Sequence, residues 1–201
     1  MSLDPFYPIV DSAAWVARLT VAGARLIQLR VKDMTGDDVR READEALAIC
    51  GRAGAILVVN DYWRLAIEIG APWVHLGQED LATADIGAIR GAGVKLGVST
   101  HDEAELARAL TLAPDYVALG PIYPTRLKAM PFAPQGLERI GEWKRRLGAI
   151  PLVAIGGLDV ARASACLPAG ADVVSVVTDI TLNADPEARA KQWIDATRAR
   201  P

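Results

Sequence analysis

Residues 55–80 read AILVVNDYWRLAIEIGAPWVHLGQED: an apolar run, a short amphipathic stretch and a second apolar run. Ala55–Val59 lacks polar alternation and is rich in β-branched residues, as in a strand covered on both faces. Tyr62–Ile69 puts Leu65, Ala66 and Ile69 on one helical face, and Trp73–Leu76 supplies the next strand. Parallel strands joined by a helix end at the same edge of their sheet. Asp61 directly follows the first strand and Asp80 follows the second by four residues, so both carboxylates reach one rim. α/β proteins bind ligands at that rim, and paired acids there suit Mg²⁺, a hard cation that keeps water and substrate phosphate among its ligands. Each also has a plain structural reading. Asp61 would cap a helix opening at Tyr62, and Asp80 one starting at Leu81.

The same unit repeats along the chain. Further strands are expected at Phe6–Val10, at Leu26–Leu29 running on into Arg30-Val31-Lys32, and at Val94–Val98, Tyr116–Leu119, Pro151–Ile155 and Val173–Val177. Pro8 fits best near a strand end or bulge. Helical periodicity marks Ala13–Leu19 (capped by Asp11 or Ser12), Asp37–Ile49 and the turn around Ile86 and Ile89. It returns at Glu103–Leu110, Leu137–Leu147, Leu158–Leu167 and Pro186–Ala199. Eight strands alternating with eight helices predict a TIM (β/α)8 barrel forming a single domain over residues 1–201. An open doubly wound sheet would want a G-x-G-x-x-G turn after its first strand, and none follows Val10.

Charge narrows the partners. With a formal charge of −3 over 201 residues, no basic field invites nucleic acid or a membrane surface. Cys50 and Cys166 lie in apolar helical contexts and read as buried free thiols. No signal-type n- and h-regions open the chain and no apolar run is long enough for a membrane span, so a cytoplasmic protein is expected. An oligomer is compatible with this composition.

The strand ends collect a distinctive set. Gln28, Arg30 and Lys32 alternate onto one side, where two cations suit phosphate. Asn60, Asp61, Gln78 and Asp80 follow the third and fourth strands, and Ser99, Thr100 and His101 the fifth. A loop with four prolines, Gly120 to Gln135, carries Thr125, Arg126 and Lys128, and loops of that length are commonly functional. Gly156-Gly157 and Thr178-Asp179 close the circuit at the strands whose loops hold phosphate in this fold. The glycines also suit a turn that needs positive φ, and Ser99 suits a helix cap. His75 reads as a packed core histidine, and no Ser-His-Asp or Cys-His set offers a nucleophile. Two phosphate sites, a carboxylate pair for Mg²⁺ and a basic loop suit the joining of two phosphorylated substrates with diphosphate leaving.

On QLRVK at Gln28–Lys32, VVND at Val58–Asp61, VHLGQEDL at Val74–Leu81 and GVSTH at Gly97–His101, the chain resembles the thiamine phosphate synthase family. DYVALGPIYPT at Asp115–Thr125, VAIGG at Val153–Gly157 and GADVVSVVT at Gly170–Thr178 extend the resemblance over nearly the whole chain. It implies transfer of a pyrimidinylmethyl group from its diphosphate to the nitrogen of a thiazole phosphate, diphosphate leaving first. By motif, Gln28, Leu29, Arg30, Val31, Lys32, Asn60 and Ser99 would hold the pyrimidine diphosphate. Asp61 and Asp80 would bind Mg²⁺. Thr125, Arg126, Leu127, Lys128, Gly157, Val177 and Thr178 would meet the thiazole phosphate, with Arg30, Lys32, Ser99 and Lys128 serving the chemistry. Leu127 stands where the family usually has Thr, Tyr62 where Arg is frequent, and Thr178 where Ser is common. A thiazole tautomerase is an alternative, opposed by Pro121 after Gly120, where that branch places His. A non-catalytic binder of thiamine-pathway ligands is another.

Overall fold

The computed structural model describes residues 3–32, 34–125 and 132–199. The first half contains β1 (Phe6–Val10), α1 (Ala13–Val21), β2 (Leu26–Leu29), α2 (Gly36–Ala53), β3 (Ile56–Asn60), α3 (Trp63–Glu68), β4 (Trp73–Leu76), α4 (Gln78–Leu81) and α5 (Ile86–Gly91). The second contains β5 (Lys95–Thr100), α6 (Glu103–Thr111), β6 (Tyr116–Leu119), α7 (Gly136–Leu147), β7 (Leu152–Ile155), α8 (Val160–Cys166), β8 (Val173–Val176), α9 (Thr178–Thr181) and α10 (Pro186–Arg198). The strands pair in parallel and in sequence order, and β8 returns to β1 to close the TIM barrel that the alternation predicts.

Two apolar layers explain why the strands read as continuous runs. Side chains alternate between the faces of a strand. On β3, Leu57 and Val59 turn outward to the helices, whereas Val58 joins Tyr7, Leu26, Trp73, Tyr116, Ala118, Val153 and Val173 inside the barrel. Gly97 makes that inner layer possible. A Cβ there would lie 2.0 Å from Cζ of Tyr116, so only glycine leaves room for the ring. Outside, Trp143 and Trp193 are fully buried against the sheet, each contributing roughly 1.5–3 kcal/mol or more by its area. Cys50 and Cys166 are free and buried as expected, and burial pushes their thiols up to about 12 and about 11, which makes them inert.

The differences from expectation are local. β2 stops at Leu29, beyond which Arg30 is tied to β1 by its N–H donating to Val10 O at 2.8 Å. β5 runs on through Thr100. Pro8 stands in the middle of β1, at the point where the pairing passes from β8 (Phe6–Pro8) to β2 (Ile9–Val10). The short helices α4 and α9 were not expected, because four residues are too few to display a helical period.

Candidate active site at the barrel mouth

Two residues beyond the inner apolar layer, the inward positions change character. Leu26 gives way to Gln28, Val58 to Asn60, Trp73 to His75 and Gly97 to Ser99, on four adjacent strands. Across the barrel Tyr7 is followed by Ile9, Ala118 by Gly120 and Val153 by Ile155, and only Val173 is followed by a polar residue, Ser175. Together they floor a cavity of about 590 Å³ at the C-terminal strand ends, with Arg30, Lys32, Asp61 and Asp80 on its rim. A second hollow of about 430 Å³, outside the barrel beside α2 and α3, shares both aspartates.

Neither aspartate caps a following helix. Six other helices have side-chain caps, in Ser12, Thr35, Asp85, Asp102, Asp159 and Asp185, each accepting from a backbone N–H. Asp61 precedes Tyr62, the N-cap of α3, and makes no cap bond there. It is held at φ 65, a left-handed conformation uncommon outside glycine and concentrated at functional sites. Its N–H donates to His75 O at 2.9 Å, and its carboxylate accepts from Lys32 Nζ at 2.7 Å. Asp80 lies within α4, where Oδ2 accepts from Gly77 N–H at 3.3 Å, so its capping role is confined to α4 itself. Burial raises the Asp80 carboxyl above the usual range, and the neighbouring charge of Asp61 raises it further.

Two hard oxygen donors that repel one another fit a small divalent cation. No group of three or more His, Cys, Asp or Glu suited to a metal occurs among the described residues. Two carboxylates alone would suit a cation whose remaining ligands are water and substrate oxygens rather than a closed protein cage.

The other expected site residues fall into three groups. Gln28, Arg30, Lys32, Asn60, Ser99, Thr125, Gly157, Val177 and Thr178 line the cavity. Leu29 and Val31 alternate the other way, into the layer between sheet and helices, which leaves them only backbone atoms to offer. Arg126, Leu127 and Lys128 lie outside the described residues.

Several neighbours have structural partners. Thr100 faces outward, donating to Ala118 O at 3.0 Å and accepting from Trp143 Nε1 at 3.1 Å. Asp179 is held by Arg189 at 2.8 Å and 3.0 Å and by Trp193 Nε1 at 2.7 Å, which ties α9 to α10. His101 pairs with Glu105 at 2.7 Å and stacks on Phe132 with ring centroids 4.6 Å apart. Gly156 and Gly157 have φ of 96 and 67, yet close packing constrains them as much as conformation does. A Cβ on Gly157 would lie 2.5 Å from Pro124 O and one on Gly156 2.7 Å from Pro121, so the pair seats the start of the proline-rich loop.

His75 is the packed histidine anticipated, and it also faces the cavity. Burial pushes its imidazole down to about 4. Sequence reasoning missed the two residues beneath it, Tyr7 and Tyr116, whose hydroxyls meet 2.9 Å apart inside the barrel. Continuing the inward period of β1 and β6 would have placed them there. Ser175 Oγ is buried in the cavity floor without a hydrogen-bond partner among the described residues.

The protein is a TIM barrel with a ligand-sized cavity at its C-terminal mouth, half walled by polar side chains and half by small and apolar residues. The family model described as thiamine monophosphate synthase matches residues 6–180. A thiamine-phosphate synthase from Rhizobium etli is 59% identical over 197 residues, covering 98% of this chain and 97% of that protein. Another, from Citrobacter koseri, is 49% identical and covers 95% of this chain and 87% of that one. The solved thiamine phosphate pyrophosphorylase from Pyrococcus furiosus superposes with a TM-score of 0.86 at 24% identity, covering 97% of this chain and 96% of that one, a likeness of fold. The chain belongs to the thiamine monophosphate synthase family.

Proposed function

We propose that the protein is a thiamine-phosphate synthase, joining 4-amino-2-methyl-5-(diphosphooxymethyl)pyrimidine to a thiazole phosphate and releasing diphosphate. The observation that carries this reading is the 59% identity to a synthase along nearly the full length of both chains. The mouth supports it. Arg30 and Lys32 offer cationic donors for the diphosphate, and Gln28, Asn60 and Ser99 offer polar atoms for the pyrimidine end, all around one cavity. Gly157, Val177 and Thr178 offer backbone N–H groups and a hydroxyl to the thiazole phosphate on the opposite side. Asp61 and Asp80 would hold Mg²⁺, which when bound offsets the charge of the diphosphate as it departs. Lys32, already on Asp61, would then be shared between that carboxylate and the diphosphate. No side chain is needed as nucleophile: the C–O bond to diphosphate breaks first, and the thiazole nitrogen then forms the new bond to the pyrimidinylmethyl carbon.

A cytoplasmic site of action is part of the same proposal; among the described residues no helix is long and apolar enough to cross a membrane. Incubation with both substrates and Mg²⁺ should yield thiamine phosphate and diphosphate in equal amounts, and a chelator should stop both. Tight binding of either substrate without product would instead favour a ligand-binding role.

A further inference from the structure

Five side chains cross the barrel interior as one hydrogen-bonded line. Gln28 Nε2 donates to Tyr7 Oη at 2.8 Å, and Tyr7 Oη lies 2.9 Å from Tyr116 Oη. Tyr116 Oη is 2.8 Å from His75 Nδ1, and His75 Nε2 is 2.8 Å from Ser99 Oγ. Gln28, Tyr7, Tyr116 and His75 are buried, whereas Ser99 is half-buried at the cavity wall. The rings are fixed by contact: Tyr7 meets Tyr116 edge-on at 84° and His75 stacks on Tyr116 at 13°.

Counting hydrogens gives the line a direction. Each contact needs one hydrogen, and Gln28 supplies the first. If Tyr116 donated to Tyr7, then Tyr7 would accept twice and its own hydrogen would be stranded in an apolar interior, a costly unmade bond. Tyr7 therefore donates to Tyr116, and Tyr116 to Nδ1 of His75. The imidazole then carries its hydrogen on Nε2 and donates to Ser99. A cationic imidazole would leave the Tyr116 hydrogen without an acceptor. Ser99 Oγ, already accepting, keeps its own hydrogen for the cavity, and Oγ has no second partner among the described residues.

We propose that Tyr7, Tyr116 and His75 are positioning residues that act through Ser99, making its hydroxyl a dedicated donor to the pyrimidine diphosphate as negative charge grows on the departing group. A line of donors all pointing one way polarises its last member, so the bond strengthens as that charge develops. This assignment rests on the synthase reading for its substrate. The direction of the line rests on the orientation of the Gln28 amide, whose Nε2 faces Tyr7 Oη.

The test has two arms. Histidine ¹⁵N NMR of the wild-type protein, with His101→Gln for assignment, should show His75 neutral with its hydrogen on Nε2; a hydrogen on Nδ1 would overturn the proposal. Kinetically, Ser99→Ala should lower kcat about a hundredfold. Tyr116→Phe should lower kcat about tenfold with little change in KM, and should have no further effect in the Ser99→Ala background. Additive losses, or a loss confined to KM, would overturn it. Tyr7→Phe should reproduce the Tyr116→Phe pattern if the latter folds poorly. If the wild-type protein makes no product, the synthase reading fails by itself, and the NMR result alone decides the direction of the line.

Discussion

The two halves of the barrel mouth are built on different principles. From β2 to β5 the inward positions carry Gln28, Asn60, His75 and Ser99, backed by buried hydrogen bonds and rimmed by charge. From β6 round to β1 they carry Gly120, Ile155, Ser175 and Ile9, and the wall is largely small and apolar, with the chain brought close at the glycines. The first half fixes Gln28, His75 and Ser99 through side-chain hydrogen bonds, His75 through both ring nitrogens. The second brings the chain itself close, as where Tyr123 N–H donates to Gly156 O at 3.0 Å over glycines that admit no Cβ. A half built from side chains is sensitive to charge and hydrogen count. A half built from backbone is sensitive to volume.

The largest break in that comparison should come from Asp61→Asn. Asn tolerates the left-handed backbone at this position, so the fold should survive, while Mg²⁺-dependent turnover falls about 10²–10³-fold in steady-state kinetics. Retained turnover would remove Asp61 from the metal pair.

Next is the acid sensitivity of the polar half. Folded His75 titrates at about 4 against 6.5 unfolded, so the unfolded chain takes up the proton first as the pH falls. The contribution of neutral His75 is complete above pH 6.5 and lost progressively down to about pH 4, roughly 3 kcal/mol in all. Urea melts of wild-type and His75→Asn protein across that window should show the wild-type slope and its reduction in the variant.

Gly157→Ala tests the other half by volume. A Cβ crowding Pro124 O at φ 67 should cost about 2 kcal/mol of stability in thermal melts and raise KM for the thiazole phosphate. KM for the pyrimidine diphosphate should hardly move. The smallest effect should come from Ser175→Ala, which removes a buried hydroxyl without a partner and should leave the unliganded melting curve within about 1 kcal/mol of wild type.

Much of this was legible in the sequence. Apolar runs spaced by amphipathic stretches specify the closed barrel, and the residues just past them specify its mouth, so Asp61, Asp80, Arg30 and Lys32 could be placed on one rim before any coordinates. Burial and register carry the rest. Tyr7 and Tyr116 lie far apart in sequence and sit in runs that read as ordinary strand, so their meeting depends on the curvature of the closed sheet. Asp61's positive φ has no sequence signature. Asp179 looked like a rim residue because a four-residue helix after β8 turns it outward to Arg189. Gly156-Gly157 was legible as a turn, whereas the loop packed on it was not.

The division of the mouth is tested most directly by calorimetric titration of the pyrimidine diphosphate, with and without Mg²⁺, into wild-type, Asp80→Asn and Gly157→Ala proteins. Binding should require Mg²⁺, weaken by at least tenfold in Asp80→Asn, and be unchanged in Gly157→Ala, with tenfold corresponding to about 1.4 kcal/mol. Binding that ignores Mg²⁺ and Asp80, or that is lost with Gly157→Ala, would contradict the account.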